Sequence, residues 1–168
     1  KFTAPSMHHI FGTDNFGRDI FSRVMQGLGT TLVISTSVVL FSAVAGVLLG
    51  AFTGYFGGIL DEILMRITDA VNGFPSILLT LVIISLLGKG RQNVIIALGI
   101  VFIPSFVRIV RGEFLRLRDA DYIKRARLMG VGRLRILFIH ILPNIFSVLL
   151  VSVMIGFNNA ILAESGMS

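Results

Sequence analysis

The sequence predicts an all-α, polytopic membrane protein with about four transmembrane helices, and three observations predict it. Hydrophobic residues make up 54% of the 168 residues and charged residues only 14%, against about 25% charged in a soluble domain. Mean hydropathy is +0.88. From Leu28 to Phe56 there is no charged residue at all. A chain so poor in charge could not cover a water-facing surface.

Residues 1–27 form a polar leader without the basic region and apolar core of a signal peptide. His8 and His9 are adjacent but have no further ligands nearby in sequence, so no metal site is expected. The first span covers about residues 30–53. Its run TTLVISTSVVLFSAVAGVLLGAF is rich in Val and Thr, which in water would favour a strand. In lipid each backbone polar group must be satisfied within its own segment, so a helix is expected. About 23 residues at 1.5 Å each reach about 35 Å, enough to cross a bilayer. Ser42, Gly46, Gly50, Gly54 and Gly58 recur every fourth residue and line one helix face. Small residues at that spacing let another helix approach closely, so Ser42, Gly46, Gly50 and Gly54 are read as a packing surface.

The segment GYFGGILDEILMRITD (54–69) reads as a short Gly-rich loop. The second span, about 70–87, is interrupted by Gly73-Phe74-Pro75, and the third, about 94–108, contains Pro104. GKGRQN (88–93) is a polar turn, so these two spans are antiparallel neighbours. The fourth, about 136–162, carries His140, Pro143, Asn158 and Asn159. Pro75, Pro104 and Pro143 should kink or end their helices, because proline removes a backbone donor. The chain starts at Lys1 and ends in AILAESGMS without a stop signal of its own, and reads as cut from a longer polypeptide with an earlier span missing.

Charge is concentrated in one place. Between Arg108 and Arg135 lie nine basic and three acidic residues, a net +6 that equals the net charge of the whole chain. With four alternating spans, the side holding 54–69 and 108–135 has ten Lys/Arg and the other has five. The positive-inside rule then puts the basic segment (coupling loop 109–135) in the cytoplasm and the leader and C-terminal end outside.

Several chemistries are excluded or disfavoured. Cysteine is absent, which removes disulfides and thiol chemistry. A phosphate-binding loop needs Gly-Lys followed by Ser or Thr, and none of Lys1, Lys89 or Lys124 precedes either residue. No catalytic, cofactor-binding or metal constellation appears. Within the apolar runs His140 is the only ionisable group. It reads better as a hydrogen-bonded ring near the interface than as a proton relay, which argues against an ion-coupled secondary transporter or channel.

The remaining signal is DYIKRARLMGVGRLRILFIHILPN (121–144). Tyr122, Ala126 and Met129 fall at i, i+4 and i+7 of a short helix, with Lys124, Arg125 and Arg127 beside and opposite. Gly130 and Gly132 break it, and a second helix starting near Arg133 continues into the membrane. The residues alone fit three readings: a basic amphipathic anchor on anionic lipid, a protein-docking knuckle, or a nucleic-acid patch. Basic cytoplasmic loops arise for topological reasons, which counts against nucleic acid.

This stretch resembles the cytoplasmic EAA loop of bacterial ABC importer permeases, with its Gly and trailing HILPN. At the positions that name that loop the chain has Lys124, Arg125 and Ala126. HIFGTDNFGRDIFSRVMQG (9–27) and GYFGGILDEILMRITDAVNGFPSILL (54–79) are similar to two further signatures of the dipeptide/oligopeptide/nickel class, second permease subunit. The resemblance implies a bacterial inner-membrane permease subunit without its own ATPase site and without a cofactor. It would form half of a translocation pathway, as a heterodimer with a second permease subunit. Two cytoplasmic ATP-binding subunits and an extracytoplasmic solute-binding protein would serve it, with membrane lipids around it and no nucleic acid. The loop residues Asp121, Tyr122, Lys124, Arg125, Ala126, Met129 and Gly130 would dock in a groove of the ATPase. Ala126 and Gly130 would allow close approach, and Tyr122 and Met129 would fill the groove. Peptide is the substrate favoured by the resemblance, with nickel behind.

Overall fold

The computed structural model describes residues 3–7 and 9–167. Its elements are helical: α1 (Ile20–Phe56), α2 (Gly58–Asn72), α3 (Ser76–Leu87), α4 (Arg91–Arg118), α5 (Asp121–Leu128), α6 (Arg133–Arg135) and α7 (Phe146–Ser165). α6 and α7 belong to one continuous helical segment, joined by a π turn (Ile136–Ile141) and a 3₁₀ turn (Leu142–Ile145). α1, α4 and the Arg133–Ser165 segment are each long and apolar enough to cross a membrane. α2 and α3 together make a fourth candidate, bent by 96° at the break between them.

The small-residue face of α1 packs along α4. Ser42 Oγ donates to its own helix at Val38 O (2.7 Å) and across to Gly99 O (2.9 Å). A Cβ on Gly46 would collide with Phe106 Cβ. One on Gly50 would lie 2.7 Å from Val107 O, and one on Gly54 would lie 2.7 Å from Phe114 Cβ. Residue numbers rise together along both helices, so α1 and α4 run parallel. Gly58 falls outside this seam, at the start of α2 with φ +78°.

One expectation needs correction. Residues 54–69 are not a loop: α1 runs to Phe56, Gly57 (φ +65°) turns the chain, and α2 begins at once. The reason lies in the apolar spacing of Ile59, Ile63 and Ile67, one helical face, while Asp61 and Asp69 pair with Arg111 and Arg108 of α4. The apolar run 70–87 is broken at Gly73-Phe74-Pro75, where the sequence places the interruption. Phe74 precedes a proline and is driven out of helical conformation, so α2 ends at Asn72 and α3 leaves from Pro75. Pro104, by contrast, sits inside α4 without ending it.

Two apolar clusters fill the bundle. One joins Ile34, Val38, Leu98, Ala160 and Ala163, at the end where α1 begins. The other joins Tyr55, Val110, Phe114, Ile123, Ile136, Leu137 and Ile141, at the end where α1 stops. The rest of the apolar surface points outward, for example Leu40, Leu86 and Met154. Such a surface is stable in lipid and not in water.

The leader caps the first end. Gly12 (φ +73°) and Gly17 (φ +79°) supply left-handed turns. Asp14 Oδ1 accepts N–H bonds from Phe16 (2.8 Å) and Arg18 (2.9 Å). Asp19 caps α1 by accepting from Ser22 N–H at 2.9 Å and Ser22 Oγ at 2.6 Å, the usual duty of an aspartate at that position. His9 Nδ1 lies 3.2 Å from Asp19 Oδ1. The His8–His9 pair considered above lies partly outside the described residues.

Candidate functional site: the basic turn

α4 ends at Arg118, and α5 starts at Asp121 after a two-residue break. Asp121 sits in its first turn and Arg125 and Arg127 in its last, which matches the charge preference of the helix dipole. Its C-terminus is a Schellman motif. Val131 N–H reaches Ala126 O at 3.1 Å, Gly130 N–H reaches Arg127 O at 3.0 Å, and Gly130 has φ +80°. A Cβ on Gly130 would meet nothing within 4 Å. The glycine is therefore required by backbone conformation, and its surroundings are open.

α5 hangs on Ile123, which is fully buried among residues of α1, α4 and the π turn. Ala126 and Val131 pack against the same cluster. Arg127 lies over the Tyr55 ring, 5.2 Å from its centroid. Tyr122 OH accepts from Asn144 Nδ2 at 3.2 Å, and Asn144 Nδ2 also donates to His140 O at 2.8 Å. The HILPN stretch thus braces the turn. Pro143 has no N–H and crowds the preceding helical turn, and there the segment widens: the Leu142 N–H reaches back five residues to Leu137 O.

The residues singled out from the sequence divide in two. Asp121, Lys124, Arg125, Met129 and Gly130 are exposed at the tip. Ala126 faces inward, and Tyr122, though partly exposed, is held by Asn144. The expected common face of Tyr122, Ala126 and Met129 is replaced by an inward face centred on Ile123, because the apolar cluster beneath outcompetes any other orientation of so short a helix. Leu128 and Met129, 87% and 84% exposed, share the outward surface with Leu134. Leu128 escaped the sequence reading, although three apolar residues kept beside so many charges are a signal that something covers them.

Of 168 residues, 46–168 match the family described as binding-protein-dependent transport system inner membrane component. The chain belongs to this family. A Brucella suis protein named as a candidate peptide transport system permease is 44% identical over 168 residues, covering 100% of this chain and 56% of that protein. The dipeptide transport system permease protein DppC of Alkalihalophilus pseudofirmus is 40% identical over 167 residues, 99% of this chain and 55% of its own length. The glutathione transport system permease protein GsiD of Pectobacterium atrosepticum is 40% identical over 164 residues, 98% and 54%. The chain therefore spans about half the length of these relatives. The family match takes in the α1–α4 seam from Gly46 on and the whole basic turn.

Proposed function

We propose that this chain forms half of the translocation pathway of an ATP-driven importer of short peptides, and that α5 is its handle. The carrying observation is the two-sided character of α5. Inward, Ile123 roots it in α1, α4 and the π turn. Outward, Lys124, paired with Asp121, and Arg125, Leu128 and Met129 are exposed beside an uncrowded Gly130. A helix so built passes a push to three spans at once, as a rigid body. The π and 3₁₀ turns around Pro143 are the compliant joint. Energy enters from elsewhere: two ATP-hydrolysing subunits grip the turn, a second permease subunit completes the pathway, and a solute-binding protein delivers substrate.

The basic end faces the cytoplasm of the bacterial inner membrane, and the leader (1–27) lies outside. The parallel α1–α4 pair supports this arrangement. It gathers the leader, the 88–90 turn and, through the Thr31–Glu164 hydrogen bond of 2.9 Å, the C-terminal helix at one end. It leaves Gly57 and the 119–135 turn at the other. The names of the relatives support peptide.

Replacing Leu128 and Met129 together by Glu tests the handle. Both are exposed, so membrane insertion should be unchanged. Co-purification of ATPase subunits and ATP-driven uptake should fall about tenfold or more, the loss expected for desolvated contact residues. Unchanged co-purification and uptake would remove α5 from the interface. Uptake that survives ATP depletion but collapses with an uncoupler would instead favour an ion-coupled carrier.

A further inference from the structure

We infer that the elbow between α2 and α3, with the facing sides of α4 and α7, is a hydrated wall of the pathway that takes the main-chain amides of a peptide. This rests on the proposed transport function. The elbow (Asn72 to Ser76), Ser105 of α4 and Asn159 of α7 line one open cleft of about 510 Å³. Ser105 and Asn159 also line a neighbouring pocket of about 120 Å³, so the polar groups form a strip rather than a point.

Depth makes the cleft informative. It meets α4 at Val101–Ser105. That stretch crosses α1 between Ser42, bonded to Gly99, and Gly46, packed on Phe106. Ser42 to Gly46 is the middle of the charge-free run. The chain therefore breaks a helix near mid-membrane depth. Such a break is stable only where it is buried in protein or lines a water-filled cavity. In this chain residues 72–76 are exposed.

The side chains add to the demand for water. Several other hydroxyls in the spans return to their own helix, as Thr80 does to Ser76 O and Ser152 to Val148 O, while Ser35 Oγ is buried without a partner. Among the described residues Asn72, Ser105 and Asn159 make no such bond. Each would cost free energy against lipid. Carboxamides both donate and accept, as a peptide unit does. The lining side chains carry no charge, so the strip supplies no counter-charge and suits an amide backbone whatever its side chains.

These 168 residues hold no cysteine, so each introduced thiol is a single reporter within them. Ser105→Cys, the most conservative change, Asn72→Cys and Asn159→Cys are introduced singly into the full transporter in membranes. Each is labelled with a membrane-impermeant thiol reagent. Leu40→Cys and Leu150→Cys serve as lipid-facing references, and labelling after denaturation confirms each thiol. Only the thiolate reacts, and an apolar setting raises its pKa, so strip positions should label about tenfold faster or more than the references. Saturating alanine di- and tripeptide should slow labelling of the strip and leave the leader position Ser6→Cys unchanged. Strip positions no faster than the references, with ATP-driven uptake intact, would overturn the hydrated wall while leaving the proposed function standing. Fast labelling indifferent to the peptides would overturn the ligand assignment. Loss of ATP-driven uptake in the unmodified chain would count against the function itself, whatever the labelling.

Discussion

Gly50 and Gly130 are the same residue used for opposite reasons. Gly50 has ordinary helical backbone, but the space beside it is already filled: a Cβ would lie 2.7 Å from Val107 O and 2.8 Å from Val110 Cβ. Gly130 has φ +80° and open space around it. The seam needs the absence of a side chain, whereas the basic turn needs a backbone conformation that side chains resist. In lipid the distinction matters, because two helices gain little from burying apolar surface and depend on close contact instead. A seam built on contact is intolerant. A turn built on conformation and left open can be shared with another molecule.

Gly50→Leu should give the largest effect. The clash is with backbone, so no rotamer relieves it, and the two helices must separate along the seam. The cost should reach or exceed the upper end of the roughly 1–3 kcal/mol typical of core overpacking. It is read as lost membrane-inserted protein and a lowered melting temperature in detergent. Gly29→Leu is the control on the same helix, since a Cβ there meets nothing within 4 Å. It should be neutral or slightly stabilising, because glycine is a poor helix former. Equal damage from both would show that the seam is not what holds α1 to α4.

Gly130 separates the two meanings of glycine more finely. Asn tolerates the left-handed region and Val does not. If conformation alone is at stake, Gly130→Val should destabilise by about 1–2 kcal/mol and Gly130→Asn by much less, with ATP-driven uptake following stability. If the handle must also be bare where it is gripped, Gly130→Asn should keep wild-type stability and still lose uptake. The second outcome is expected, given the open space around Gly130 and the exposed Leu128 and Met129 beside it.

The same contrast explains what the sequence reveals and what it hides. Charge scarcity and the four-residue spacing of Ser42, Gly46, Gly50 and Gly54 are properties of one helix, and they can be read before folding. That the seam packs on α4 depends on which other span comes alongside, and no local pattern encodes it. Residues 54–69 look like a loop because the Gly57–Gly58 pair dominates the eye. The Ile59, Ile63, Ile67 spacing is the signal that marks the helix. On α5 eight residues leave the inward face undecided between Ile123 and Tyr122. The apolar cluster under Ile123 decides it, and that cluster is assembled from three distant segments. The elbow's polar strip is hidden for the same reason: Asn72, Ser105 and Asn159 are far apart in sequence and meet only in the fold.

The leader gives a third kind of support and the smallest expected effect. Beside its Gly12 and Gly17 turns, it is tied together by carboxylates. The backbone N–H of Arg18 is the main influence holding the Asp14 carboxyl below its ordinary value of 3.8, with Phe16 and Arg23 assisting. The hydroxyl and N–H of Ser22 do the same for Asp19, with His9 assisting. Both groups are easier to ionise in the folded leader than in the unfolded chain. Their contribution is therefore complete above pH 3.8 and is lost as pH falls through the depressed folded values. The upper seam, where Ser42 bonds Gly99 O, involves no titrating side chain and should not respond. Amide chemical shifts of Phe16, Arg18 and Ser22 should titrate with midpoints below 3.8, while that of Ser42 stays flat. Asp19→Asn keeps the cap, because asparagine accepts the same bond, and it should abolish the Ser22 titration without loosening the first turn of α1. A Ser22 midpoint at or above the ordinary carboxyl value, or a Ser22 shift that still titrates in the Asn variant, would mean that the leader is held by something other than these carboxylates.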